Sequence, residues 1–281
     1  GAQGPAPARC EAQPAASPEP ALLQVSVRVA QRQLAEVDAG ARPLAGSVLY
    51  LVKTYSGHYA TKLRAVMQTW GAQLEESSLL VVGEKDSADM PVHAAADCGP
   101  DAMHGLTCRV GYGIALAARH PGNWSWLFLV DDDHYVRMAR VEQELAEFDA
   151  REQVGVGCYG CGRHQYCHGR GGFCGGCGYA LSRPAVAALV GRSVETFLKL
   201  HSDMSHSKLS DGREDMATSC ALNKRVPDLR IKGLEGVGNE APNMTRLRER
   251  ASSVKTVLWH HVSPEQMLEI HRALSAAPAS G

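Results

Sequence analysis

No run of about 18 apolar residues occurs anywhere in the 281-residue chain, so no segment reads as a bilayer-spanning helix. An excess of one charge sign is missing too. The formal net charge is −1 and no basic run of nucleic-acid type stands out, which argues against nucleic acid as a partner. Aromatic residues are scarce at 6%, so aliphatic side chains supply most of the 44% hydrophobic content needed for a globular core. There is no internal repeat, which sets aside solenoid and propeller architectures. The sequence opens at Gly1 with no Met or secretory leader ahead of it. It reads as a luminal portion, with any membrane attachment expected through an anchor upstream.

Cysteine is abundant by contrast. Nine cysteines accompany two N-glycosylation sequons, Asn123-Trp124-Ser125 and Asn243-Met244-Thr245. Together they point to the secretory pathway lumen, Golgi or endoplasmic reticulum, where thiols oxidise. The first 21 residues are rich in Ala, Pro, Gly and Ser and read as a disordered stem. The remainder, 22–281, reads as a single domain.

Within it, apolar spacing predicts a helix over 22–37, a buried strand over 46–52, a helix over 60–70 closing at Gly71, and a strand over 78–82. A helix over 103–119, a strand over 126–130 and a helix over 138–149 follow. Pro184 opens another helix, 212–223 is helical, 257–262 is a last strand, and Pro264 opens a helix to about 274. Strands alternating with helices predict an α/β fold with a mostly parallel central sheet flanked by helices.

The most telling stretch is Trp126-Leu127-Phe128-Leu129-Val130 running into Asp131-Asp132-Asp133-His134-Tyr135-Val136. Open α/β sheets bind ligands beyond the carboxyl ends of their strands. Adjacent carboxylates repel unless they share a cation, and hard divalent ions prefer oxygen ligands combined with substrate phosphates. The pattern predicts a metal–diphosphate site, set against the plainer reading of an acidic turn that caps a strand.

A Gly/Cys-rich segment over about 155–178 carries Cys158-x₂-Cys161 and Cys174-x₂-Cys177, with His164, Cys167 and His168 between. Paired knuckles of this kind fit structural zinc, and equally a disulfide-stapled loop in an oxidising compartment. The sequons favour the second.

Five ordered segments resemble a known superfamily. They are Val52-Lys53-Thr54 with Arg64 and Thr69-Trp70; Asp131 to Val136; Cys174-Gly175-Gly176-Cys177-Gly178-Tyr179-Ala180-Leu181-Ser182; Glu214-Asp215-Met216; and His260-His261-Val262-Ser263-Pro264-Glu265-Gln266-Met267. In this order they resemble the fringe / β1,3-galactosyltransferase / β1,3-N-acetylglucosaminyltransferase superfamily of inverting glycosyltransferases, over roughly Ser47 to Leu274. The third and fourth look closest to core 1 β1,3-galactosyltransferases.

The resemblance implies a GT-A-like fold, a UDP-sugar donor, a glycan or glycoprotein acceptor, and Mn²⁺ or, in its place, Mg²⁺. It implies Asp133 and His260 as metal ligands, with Asp131 and Asp132 facing the ribose and donor sugar. Thr54 and Arg64 would lie in the uridine region, Gly175 and Gly176 beside the donor sugar, and Asp215 would be the base that deprotonates the acceptor hydroxyl. It also implies a Cys98–Cys108 disulfide. Two departures stand out: Cys177 occupies the place of a small Ala, and the Cys158 to Cys167 cluster is not a hallmark of the family. Fringes put their metal histidine where this chain has Gly238-Asn239, so the resemblance here is to the other pattern, with His260 rather than His261 as the ligand.

The expected activity is transfer of a hexose, galactose before N-acetylglucosamine, with inversion and a β1,3 linkage. Two alternatives are a zinc-stabilised Cys-rich binding module without catalysis and a Mg²⁺-dependent phosphohydrolase. His58, His104, His164 and His168 have no assigned role, and Trp70 and Trp259 read as core aromatics.

Overall fold

The computed structural model describes residues 48–250 and 253–276. The stem over 1–21, the helix expected over 22–37 and Cys10 lie outside the described residues. In chain order the elements begin with β1 (Val48–Lys53), α1 (Arg64–Gln68), β2 (Leu79–Gly83), β3 (Val92–Ala94), α2 (His104–Arg119), β4 (Trp126–Asp131), β5 (Tyr135–Val136) and α3 (Met138–Leu145). Next come β6 (Val154–Gly157), β7 (Tyr159–Cys161), β8 (Gly172–Phe173), β9 (Tyr179–Ser182), α4 (Arg183–Val190), α5 (Val194–Ser205) and α6 (Glu214–Arg225). The last are β10 (Arg230–Lys232), β11 (Val237–Gly238), α7 (Met244–Arg250), β12 (Leu258–Trp259) and α8 (Pro264–Ser275).

Seven strands form the main sheet in the order β10-β6-β9-β4-β1-β2-β3. Every neighbouring pair is parallel except those of β9, which runs against both β4 and β6. Strands β1 and β4 read as unbroken apolar runs because helices cover both faces of the sheet. Successive side chains alternate between two cores. Tyr50, Val52, Phe128 and Val130 join Met267 and Ile270 of α8 on one side. Leu49, Leu51, Leu127 and Leu129 join Val110 and Ile114 of α2 and Phe197 of α5 on the other.

Four strands of this sheet, β3, β6, β9 and β10, escape the sequence pattern. Val154-Gly155-Val156-Gly157 looks like a loop by propensity, since glycine weakens a strand. The glycines are needed because the Phe173 ring lies over them; a Cβ on Gly155 would sit 2.6 Å from its Cζ. The Cys/Gly-rich stretch therefore starts inside the sheet and leaves it only at Cys158. Helix α5 was also not foreseen.

The helix expected over 60–70 is broken into a π turn over Tyr59–Leu63, α1, and a 3₁₀ turn over Trp70–Gln73. At its break, Thr69 Oγ1 donates to the Ala65 carbonyl (2.7 Å), a back-bond that bends helices. The strand expected over 257–262 shrinks to Leu258–Trp259, because His261 turns left-handed (φ 53°). Trp70 and Trp259 are both buried.

Zinc is ruled out for the knuckles. Their four thiols form Cys158–Cys177 and Cys161–Cys174, joined by Cys167–Cys220 and Cys98–Cys108. No thiolate of the cluster remains to hold a metal, and the binding-module alternative goes with it.

His201 on α5 is fully buried against Thr218 Oγ1 (2.9 Å), and burial pushes its pKa down to about 4. The unfolded chain takes up this proton near pH 6.5 and the folded chain does not. Stability from this residue is thus complete above pH 6.5 and lost as pH falls toward 4, on the order of 3 kcal/mol in all. The urea midpoint should drop between pH 6.5 and 4.5, and drop less in His201→Gln.

Candidate active site

The site lies at the carboxyl ends of β1 and β4. Their parallel register pairs Lys53 with Asp131, so Thr54 and Asp132 emerge side by side. Lys53 is buried between two carboxylates. Its Nζ lies 3.3 Å from Asp131 Oδ1 and donates to Glu214 Oε1. Burial opposes its charge, but Asp131 and Glu214 more than offset this and hold the ammonium protonated. Burial pushes Glu214 the other way, well above the usual carboxylate range, with Asp215 and Asp131 adding to the effect against Lys53. The second oxygen of Glu214, Oε2, is buried without a partner.

Asp132 is buried and turned inward. Its Oδ2 accepts from Thr54 Oγ1 (2.6 Å) and pairs with His58 Nδ1 (2.9 Å). Asp133 is the carboxylate that Lys62 engages most closely. Lys62 Nζ donates to its Oδ2 (3.0 Å), while Oδ1 is buried with no hydrogen bond. Burial alone would raise the Asp133 pKa, but the Lys62 hydrogen bond and the nearby His134 and His260 hold it below its ordinary value.

His260 reaches this carboxylate through the small sheet β11-β12-β5. Antiparallel pairing of Trp259 with Tyr135 carries the chain on so that His260 follows beside His134, and their rings stack 4.4 Å apart. The Val262 N–H donating to the Asp133 carbonyl (3.0 Å) closes the junction. His260 Nε2 then lies 3.4 Å from the orphaned Asp133 Oδ1. Burial, with His134 nearby, pushes the His260 pKa down to about 4, so the imidazole is neutral and its lone pair is available at neutral pH.

Asp131, Asp133, His134 and His260 bring ligand atoms within 4.8 Å of one another. His134 does not qualify as a ligand. Its Nδ1 accepts from the Asp131 N–H (3.0 Å) and its Nε2 donates to the Gly176 carbonyl (3.1 Å), so both ring nitrogens are committed in a neutral tautomer. It works as a strut between the aspartate turn and the glycine loop. Asp133 and His260 fit a divalent ion. Two donors at adjacent corners of an octahedron lie about 3 Å apart, and here an unpartnered carboxylate oxygen faces a neutral imidazole.

The glycine loop enters from the amino end of β9, which runs antiparallel to β4 and so starts where β4 ends. The Gly175 N–H donates to Asp215 Oδ2 (2.9 Å), and Asp215 Oδ1 accepts from the Met216 N–H (2.8 Å). Asp215 sits half-buried in the first turn of α6. On the next residue, a Cβ on Gly176 would meet His260 Nδ1 at 2.6 Å. One dipeptide thus touches Asp215 on one side and His260 on the other. Gly176→Ala should push the imidazole off Asp133 and weaken any metal-dependent nucleotide binding by about 10- to 100-fold, the usual effect of losing a supporting contact. Titration calorimetry of UDP with and without Mn²⁺ checks it.

Of the residues expected from sequence, Thr54, Asp131, Asp132, Asp133, Gly175, Gly176, Asp215 and His260 all gather here. Arg64 does not: it opens α1, is exposed, and makes no hydrogen bond or ion pair among the described residues. Lys62, two positions earlier, reaches the aspartates instead. Sequence reasoning missed Lys62, Lys53 and Glu214, and gave His58 no role. The available signal was Lys53 itself, a charge closing an apolar strand whose neighbour ends in aspartate.

A mostly parallel sheet flanked by helices collects carboxylates and a histidine at its strand ends. A family model described as Fringe-like matches residues 45–228, and the chain belongs to that family. His260 falls outside the matched span. No curated protein sequence matches the chain. Among solved structures it is similar to mouse xyloside xylosyltransferase 1, with 13% identity, 76% of this chain and 97% of that chain covered, and a TM-score of 0.43. It is also similar to a galactosyltransferase solved with donor and acceptor sugar analogues, with 10% identity, 82% and 97% coverage, and a TM-score of 0.42.

Proposed function

We propose that the protein is a metal-dependent inverting glycosyltransferase. It transfers a hexose from a UDP-sugar, UDP-galactose before UDP-N-acetylglucosamine, to a sugar hydroxyl of a glycan acceptor with a β1,3 linkage. The observation that carries this reading is the Gly175–Gly176 dipeptide, flanked by Asp215 and by His260 facing the bare oxygen of Asp133. Asp133 and His260 would hold the ion, Mn²⁺ suiting the imidazole better than Mg²⁺. A bound ion there would neutralise diphosphate charge as UDP departs.

Asp215 accepts the proton of the attacking hydroxyl. Both its oxygens already accept a backbone N–H, which fixes the carboxylate plane and leaves lone pairs free for the acceptor. Thr54 and His58 keep Asp132 in place, and Lys53 ties Asp131 on the donor side to Glu214 next to the base. Four disulfides and two exposed sequon asparagines, Asn123 and Asn243, suit the lumen of the secretory pathway. Membership of the Fringe-like family leaves the phosphohydrolase alternative without support.

The test is UDP release across a panel of UDP-sugars and neutral acceptor glycosides, with Mn²⁺ or EDTA. Release should need both an acceptor and the metal. Phosphate release from simple esters, with no UDP-sugar consumed, would overturn the proposal.

A further inference from the structure

From Gln153 to Val194 the chain contains no Asp or Glu. Within that stretch Arg163, His164, His168 and Arg170 are all exposed on one loop between Cys161 and Cys174. The loop is stapled beside the base. Cys161–Cys174 ends it next to Gly175, and Cys167–Cys220 ties its middle to α6, the helix that carries Asp215. The Cys167 N–H also donates to the Leu209 carbonyl (2.9 Å). His164, Cys167 and His168 all adopt left-handed backbone, with φ of 75°, 51° and 58°. Non-glycine residues adopt this conformation only under constraint, so the loop's shape is imposed by its fastenings.

On the inner edge of the loop, Tyr166 lies under Arg213, two residues ahead of Asp215. The guanidinium carbon is 5.9 Å from the ring centroid, and Arg213 Nε donates to Tyr166 Oη (3.2 Å). This fixes the guanidinium by its Nε edge, and its outer nitrogens make no hydrogen bond among the described residues. Asp211 and Asp215 are the nearby carboxylates, and neither pairs with Arg213. Arg163 and Arg170 form no ion pair among the described residues.

We infer that this lip is an acceptor subsite that reads an anionic group, a carboxylate or sulfate carried by a sugar next to the one that is glycosylated. The inference rests on Asp215 being the base. A planar guanidinium held at one edge offers its remaining fork to a carboxylate or sulfate. The donor diphosphate belongs on the other side of Gly175–Gly176, beside His260 and Lys62.

The probe is a tetrasaccharide of alternating glucuronate and N-acetylhexosamine, compared with its carboxyl-reduced form, which has the same skeleton without the charge. Both are titrated against the whole chain with UDP and Mn²⁺ present. The acidic form should bind about tenfold more tightly at low salt, with the preference falling below about threefold in 0.5 M NaCl. The preference should be lost in Arg213→Met, partly restored in Arg213→Lys, and reduced in the Arg163→Gln/Arg170→Gln pair, whose exposed positions leave folding untouched. Equal affinity of the two forms overturns the subsite, as does a preference that survives in both Arg213→Met and the double variant. Displacement of the probe by UDP overturns it too, by placing the anion in the donor's position. Equal affinity of the two forms for the parent chain, beside an inactive Asp215→Asn, sinks the subsite alone. A fully active Asp215→Asn sinks the base assignment and the acceptor reading with it.

Discussion

Asp215→Asn should bind UDP and Mn²⁺ with affinity within about twofold of the parent chain, yet turn over about 10²- to 10⁴-fold more slowly, the range for removal of a positioned general base. The substitution keeps the side chain's shape. Its amide oxygen can still accept one of the two N–H groups that Asp215 now receives, from Gly175 or from Met216, so the glycine loop stays in place. An amide cannot take a proton from the acceptor hydroxyl. Asp133 and His260, the ligands proposed for the ion, are not among the hydrogen-bond partners of Asp215, so nucleotide affinity should be unchanged. Titration calorimetry with UDP, paired with UDP-release rates, separates the two effects. Full activity would remove Asp215 from the base role. Loss of nucleotide binding as well would mean that Asp215 chiefly holds the loop.

Asp133→Ala should abolish the metal dependence of UDP affinity, a loss on the order of 100-fold, or ~2.7 kcal/mol. Asp133 gives one oxygen to Lys62 and leaves the other bare against His260. Alanine removes the bare oxygen and also frees Lys62, whose ammonium can then meet a phosphate directly; the residual, metal-independent affinity should therefore exceed zero. His260→Ala should give a similar loss, and the double variant should be little worse than either alone, because both side chains act through one ion. Additive losses would show that the two residues serve different ligands. A parent chain whose UDP affinity ignores Mn²⁺ altogether would remove the metal site.

Much of this site can be read along the chain. The aspartate turn follows an apolar strand, so its place at a strand end is a local property. The same holds for Glu214-Asp215 at the head of a helix and for Pro264 opening α8 with a Ser263–Gln266 capping box. Local reading failed where tertiary packing overrode propensity. Strand β6 exists because Phe173 needs glycines beneath it, and the Cys-x₂-Cys knuckles look alike whether bridged by zinc or crossed into disulfides. His134 and His260 both come within reach of Asp133 in the fold. Only the hydrogen bonds that consume both nitrogens of His134 tell them apart.

By itself the sequence determined the kind of sheet, the strand end that carries the acids and the residues that could do the chemistry, since these depend on side-chain periodicity and on neighbours a few positions away. The tertiary structure decided which of them meet. The Lys53–Asp131 register, the β5–β12 pairing that delivers His260, and the bridges that bind the basic loop to α6 are contacts between segments far apart in the chain, and no local pattern encodes their distances.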